Sequence, residues 1–188
     1  MPNRFEQPPT FIQSGDPETE NANLLFYGGC LGARFTVKQP SGPGAPSGDN
    51  YQHKRYQYVR ADSTMTASPG KGDVAWWTDK TTYTVTNQAT LRGQVAGVFQ
   101  NDQLVNPITP GYYCCIQIGG RAVVRITDAT IALASTAGLF VEPSATAGRA
   151  AVIAAGTNTG YPALGRTASA AIGGQTLCYV DLDLPETV

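Results

Sequence analysis

Charge is what this sequence has least of. Only 14% of its 188 residues are Asp, Glu, Lys or Arg, against about 25% in an average soluble domain. The 13 basic and 14 acidic residues leave a net charge of −1, which argues against broad electrostatic capture of nucleic acid or of an anionic membrane. Histidine is nearly absent too. His53 is the single one, and that removes most His-dependent metal and triad chemistry. No segment approaches the roughly 18 apolar residues that would span a bilayer. The N-terminal stretch Met1-Pro2-Asn3-Arg4-Phe5 opens no basic region followed by an apolar one, so it does not read as a secretory signal. Cysteine is sparse and unpatterned: Cys30, Cys114, Cys115 and Cys178 make no C-x-x-C pair. With one distant His they do not resemble a zinc site, and buried free thiols made in a reducing cytoplasm are the expectation.

What the chain has in quantity is punctuation. Its 21 Gly and 13 Pro break it into short pieces, which excludes a coiled coil or a helical bundle. Residues 1–23 carry four Pro and little apolar content, the composition of an extended arm that does not fold alone. Residues 24–188 read as a β-rich domain, interrupted at Gln39 to Asn50 by a Pro/Gly/Ser loop. Strand signals then come at short spacing: Val74 to Trp77, Thr82 to Thr86, Val95 to Phe99, Tyr112 to Ile118, Ala122 to Ile126 and a closing Gln175 to Leu182. Tyr112 to Ile118 is apolar on both faces, as in a central strand, and Gly119-Gly120 predicts a two-residue hairpin turn to Ala122–Ile126. Ala129 to Gly174 is Ala/Gly/Thr-rich, and its interrupting glycines favour short strands and loops over helix. Roughly eight to ten strands are predicted. The fold class is therefore mainly β: a single β-sandwich or barrel-like domain with an extended N-terminal arm and long Gly/Pro-rich loops. Val95-Ala96-Gly97-Val98-Phe99 and Ala163-Leu164-Gly165-Arg166-Thr167 echo one another. In so Gly-rich a chain two such matches arise by chance, and no duplication is predicted from them.

Catalytic constellations are hard to assemble. No Ser sits in a G-x-S-x-G elbow and His53 lies beside the Pro/Gly loop, so a Ser-His-acid triad lacks its parts. Asp181 and Asp183 share one face of the last strand, where they are expected to solvate an edge. The step Gly70-Lys71 is no phosphate loop, because Met65 and Gly72 stand where a Walker sequence needs Gly and Ser or Thr. It reads as a turn before the Trp76 strand. Tyr51 to Arg60 interleaves basic residues with tyrosines, and Lys54, Arg55 and Arg60 could meet phosphates while the rings stack bases. The run is short and the total charge near zero, so a strand face that is solvated or docks on an acidic protein is favoured. Trp76 and Trp77 point opposite ways on a strand. Either both are core, or one is an outward anchor in a subunit interface.

The segments Ala75 to Asn87, Val95 to Asn101 and Gly111 to Gly120, with the closing Asp181-Leu182-Asp183-Leu184-Pro185, together resemble the decoration (cement) proteins of tailed bacteriophages. That resemblance implies a β-rich, non-enzymatic protein without cofactor or metal, made in the host cytoplasm and located on the capsid exterior of the virion. It would bind the major capsid protein, associate with itself as a trimer or dimer, and bind neither membrane nor specific nucleic acid. The contact candidates are Phe5, Phe11, Tyr51, Lys54, Arg55, Tyr56, Trp76 and Trp77. The low charge of Ala129 to Gly174, with only Glu142, Arg149 and Arg166, reads as surface covered by neighbouring subunits. The alternative is a β-sandwich ligand- or carbohydrate-binding module with exposed aromatics.

Overall fold

The computed structural model describes residues 31–40, 51–65, 67–88, 93–100, 107–157, 160–168 and 176–184. Ten strands join in one sheet: β1 Arg34–Pro40, β2 Tyr51–Ala61, β3 Val74–Asp79, β4 Thr84–Thr86, β5 Val95–Val98, β6 Tyr113–Arg125, β7 Phe140–Pro143, β8 Ala150–Val152, β9 Gly165–Thr167 and β10 Leu177–Asp183. Short 3-10 turns at Asp128–Thr130 and Leu133–Ser135 are the helical pieces among the described residues.

Five strands close on themselves. β2 pairs in parallel with β4, β4 with β3, β3 with β5, β5 with β6, and β6 returns antiparallel to β2. The fold is thus mainly β, built on a closed five-strand barrel with further strands attached, and a two-layer sandwich does not describe it. Inside lie Val59, Ala61, Ala75, Trp77, Val85, Ala96, Phe99, Cys114, Ile116 and Ile118, all buried. Closure removes the free edges that an open sheet of this size would expose. β1 lies outside the ring, paired to β2, and there Phe35 stacks on Tyr56 at 5.7 Å between ring centroids.

Gly119-Gly120 corrects the sequence reading. No turn forms there, and Tyr113 to Arg125 is one strand of 13 residues. Its first half pairs with β2 and its second half with β10. The glycines serve close approach: a Cβ on Gly119 would enter the Arg55 guanidinium and one on Gly120 would strike the His53 carbonyl. Gly120, at φ +77°, bends the strand from one ring into the next. Gln117, fully buried, holds the bend by donating from Nε2 to the carbonyls of Gly119 and Arg121, each at 3.0 Å.

The remaining strands repeat the barrel's pairing. β6 pairs with β10, β10 with β9, β9 with β7 and β7 with β8. A parallel bridge from Ala150 to Ile126 brings β8 back beside the end of β6. Away from the bulges of β2 and β3, the registers agree. Ala75 opposite Gly97 matches Val141 opposite Gly165. Ala61 beside Val85 matches Ile126 beside Ala150, and Arg60 opposite Tyr113 matches Arg125 opposite Leu177. Loop hydrogen bonds follow suit, with Gly72 N–H to Phe99 O at 2.8 Å answered by Gly138 N–H to Thr167 O at 2.7 Å. The chance echo of Val95–Phe99 with Ala163–Thr167 is therefore a real correspondence, since β5 and β9 hold the same place in two rings. Cys114 and Cys178 do so as well, each buried and free.

The second ring's interior, including Val124, Val141, Leu164, Cys178 and Val180, forms one cluster with Val74, Trp76 and Val98 from the outside of the barrel. The two rings are clasped by Asp73, in the turn before β3. Its carboxylate accepts from Gly70 N–H at 2.8 Å and pairs with the Arg125 guanidinium at 3.0 Å. Burial pushes this carboxyl above its usual range, against the opposing pull of the Gly70 amide and Arg125.

Candidate docking face

Of the residues singled out for contact, three are interior. Trp76 is 0% exposed and Trp77 3%. They point opposite ways as a strand requires, but one fills the second ring's cluster and the other the barrel's, edge-on to Tyr83 at 6.2 Å. Neither is an outward anchor. Tyr56 is also buried, in a cluster with Tyr58 and Cys115 on the outside of the barrel that Phe35 covers. Lys54 and Arg55 are half-buried on β2, Arg55 against Gly119. Phe5, Phe11 and the side chain of Tyr51 lie outside the described residues, as do the arm 1–23 and residues 41–50 of the Pro/Gly loop. Gln39 and Pro40, assigned to that loop, close β1 instead.

Among the described residues the exposed large apolar side chains are Tyr112, Phe140, Tyr161 and Tyr179. Two of them, Phe140 on β7 and Tyr179 on β10, are 44% and 40% exposed and lie on neighbouring parts of one sheet face. Strand alternation sets the outer face of β10, where Leu177 to Asp183 runs half-buried, buried, exposed, buried, exposed, buried, exposed. Tyr179, Asp181 and Asp183 are the outward positions. Asp181 and Asp183 share a face as expected, but β10 lies between β6 and β9 and is no edge. Register then lines up one residue from each of four strands. Arg121 on β6 is opposite Asp181 on β10, Asp181 is opposite Arg166 on β9, and Arg166 is opposite Phe140 on β7.

The members of this row hold one another. Arg121 Nε donates to Asp181 Oδ1 at 3.0 Å and Nη2 to Oδ2 at 3.3 Å, the two-pronged geometry that fixes both groups. The Asp181 hydrogen bond lifts the Arg121 guanidinium above its already high value. Arg166 lies over the Phe140 ring, 4.1 Å from its centroid, and donates to Gly138 O at 3.0 Å. Beside the row is an open cleft of about 440 Å³ between Phe140, Ala163, Arg166, Thr167, Asp181 and Asp183. Among the described residues, no group of three or more His, Cys, Asp or Glu converges as a metal site. The described thiols are buried, and burial pushes Cys115 and Cys178 up to about 12, so both are protonated at neutral pH and unreactive.

Sequence reasoning missed this face because its members are far apart in the chain. Only the pairing of β6, β10, β9 and β7 unites them. The available signal was the alternation of the last strand, which places Tyr179, Asp181 and Asp183 together.

Comparison with known proteins finds no match: no family model, no curated protein and no solved structure is significantly similar to this chain.

Proposed function

We propose that this protein is a non-enzymatic structural component of a tailed-phage virion, bound to the outside of the capsid and reinforcing contacts between major capsid subunits. The observation that carries the reading is the outer face of β6, β10, β9 and β7. It offers exposed Phe140 and Tyr179 beside Arg121 and Arg166, and aromatic residues and arginine are the types enriched where proteins dock on proteins. The other ground is the sequence resemblance to decoration proteins over Ala75 to Asn87, Val95 to Asn101 and Gly111 to Gly120. The mechanism would be adhesion at two or more capsid subunits, the second contact forming at high effective concentration. The test is co-sedimentation with capsids that lack the protein, followed by heating. Saturable binding and retention of DNA to a higher temperature are expected, and absence of binding would sink the reading. Deleting residues 1–23 should weaken attachment while the β domain keeps its melting transition.

The cleft beside Phe140 favours a second reading, a carbohydrate-binding module, in which the ring would stack a sugar and Asp181 and Asp183 would accept its hydroxyls. Calorimetric titration against a glycan panel, with Phe140→Ala as control, separates the two. Tryptophan fluorescence is the wrong probe, because both indoles are buried.

A further inference from the structure

The two rings invite comparison of their outer faces at equivalent positions. On the barrel, the row that corresponds to Arg121–Asp181–Arg166–Phe140 is Tyr56–Gln117–Val98–Val74, by the same pairings. All four barrel residues are buried. Val98 and Val74 pack under the second ring, and Tyr56 packs under Phe35. This position on the ring is therefore one that the fold covers once already. On the second ring nothing in the described chain covers it, and its side chains carry charge.

The order of those charges is informative. From β6 to β7 the row reads positive, negative, positive, aromatic. Set against a reversed copy of itself, Arg121 meets Phe140, Asp181 meets Arg166, Arg166 meets Asp181, and Phe140 meets Arg121. Asp181 and Arg166 each face their opposite, and Arg121 faces a ring. A sheet face with this order is self-complementary about a two-fold axis, which is the condition for an isologous contact. We propose that the row Arg121–Asp181–Arg166–Phe140 is a two-fold contact between two copies of this chain.

In that contact each Asp181 lies between its own Arg121 and the partner's Arg166, so the charges join one network of alternating sign. The row crosses four strands, about 14 Å, and Tyr179 and Asp183 widen it along β10. A footprint this small belongs with the weak, transient class of contact. The contact takes the same face from which capsid docking is argued, so a second copy and the shell compete for it, and the dimer is inferred from the row itself and not from the capsid reading.

Sedimentation velocity of the full chain between about 1 and 500 μM is the first measurement, with a concentration-dependent shift from monomer to dimer expected. Asp181→Arg and Arg166→Asp should each weaken self-association by at least about tenfold, because each sets like charges face to face. Mixing the two variants should restore a mixed dimer, since the substituted groups again meet opposites. A variant that merely misfolds is not rescued by its partner, and a thermal melt of each checks this. Phe140→Ala, at an exposed site, gives an independent loss of about tenfold without reversing a charge. A wild-type chain that stays monomeric throughout, a larger oligomer insensitive to these changes, or folded variants that fail to pair when mixed would each overturn the proposal. Capsid co-sedimentation is a separate readout: its failure with an intact dimer counts only against the virion role.

Discussion

Glu142 occupies, in the second ring, the place Trp76 has in the barrel: Trp76 is opposite Thr86 and Glu142 opposite Ala151. Both side chains are buried, and Trp76 Nε1 and Glu142 Oε2 have no hydrogen-bond partner. For an indole that costs one unmet donor, but a carboxylate also loses hydration of its charge. Burial accordingly raises the Glu142 carboxyl above its usual 4.5. A raised carboxyl means that the folded chain takes up a proton more readily than the unfolded one. This site's stabilising contribution is therefore complete below about pH 4.5 and is lost as pH rises through the higher folded value. Glu142→Gln should leave the melting temperature unchanged at pH 4 and raise it at pH 7. Equal melting temperatures at pH 7 would show that the carboxylate finds a partner. At this scale the sequence was legible for the cysteines, which are buried and free wherever described, and for the opposite facing of Trp76 and Trp77. It was silent on which aromatic is exposed, because Tyr56 and Tyr58 are hidden by β1 and by neighbours remote in sequence.

Among the elements, β5 and β9 show what the composition concealed. Each carries a glycine at the same register, and each glycine admits a neighbouring backbone. A Cβ on Gly97 would come 2.7 Å from Gln117 O, and one on Gly165 would collide with Asp181 O. Gly97→Ala and Gly165→Ala should both destabilise by about 1–3 kcal/mol, the range for overpacking, as read by urea denaturation. Gly93→Ala, with open space around its Cβ position, is the control and should be near neutral. A neutral Gly165→Ala would mean that β9 is not held against β10 as described. The strands themselves were readable from Val, Ile, Thr and aromatic runs. Gly119-Gly120 was misread because a glycine pair between apolar runs has the same local pattern in a hairpin as in a bent strand. What distinguishes them is the presence of β2 and β10 as partners on either half, which no local window contains.

At the scale of the whole molecule, the rings share β6, a hydrophobic cluster and the Asp73–Arg125 pair. They should therefore unfold together rather than in sequence. The two tryptophans report on the two clusters separately, so Trp77→Phe leaves a probe of the second ring and Trp76→Phe a probe of the barrel. In each variant, fluorescence and far-ultraviolet circular dichroism should give the same denaturant midpoint. Transitions that separate would assign the rings to independent units. The closed ring was within reach of the sequence, as a barrel of short strands. Its repetition was not, because the equivalent positions kept their register while exchanging Tyr56 for Arg121, Gln117 for Asp181, Val98 for Arg166 and Val74 for Phe140.

The bent strand β6 also fixes how the molecule carries load. A pull applied at the outer face of the second ring enters β10 and β6 and passes along one unbroken backbone into the barrel wall. The ladders on either side of that strand would then be loaded in shear, many hydrogen bonds resisting at once, and not peeled open one at a time. A protein of this shape would yield to lateral prying well before it yields to tension along β6.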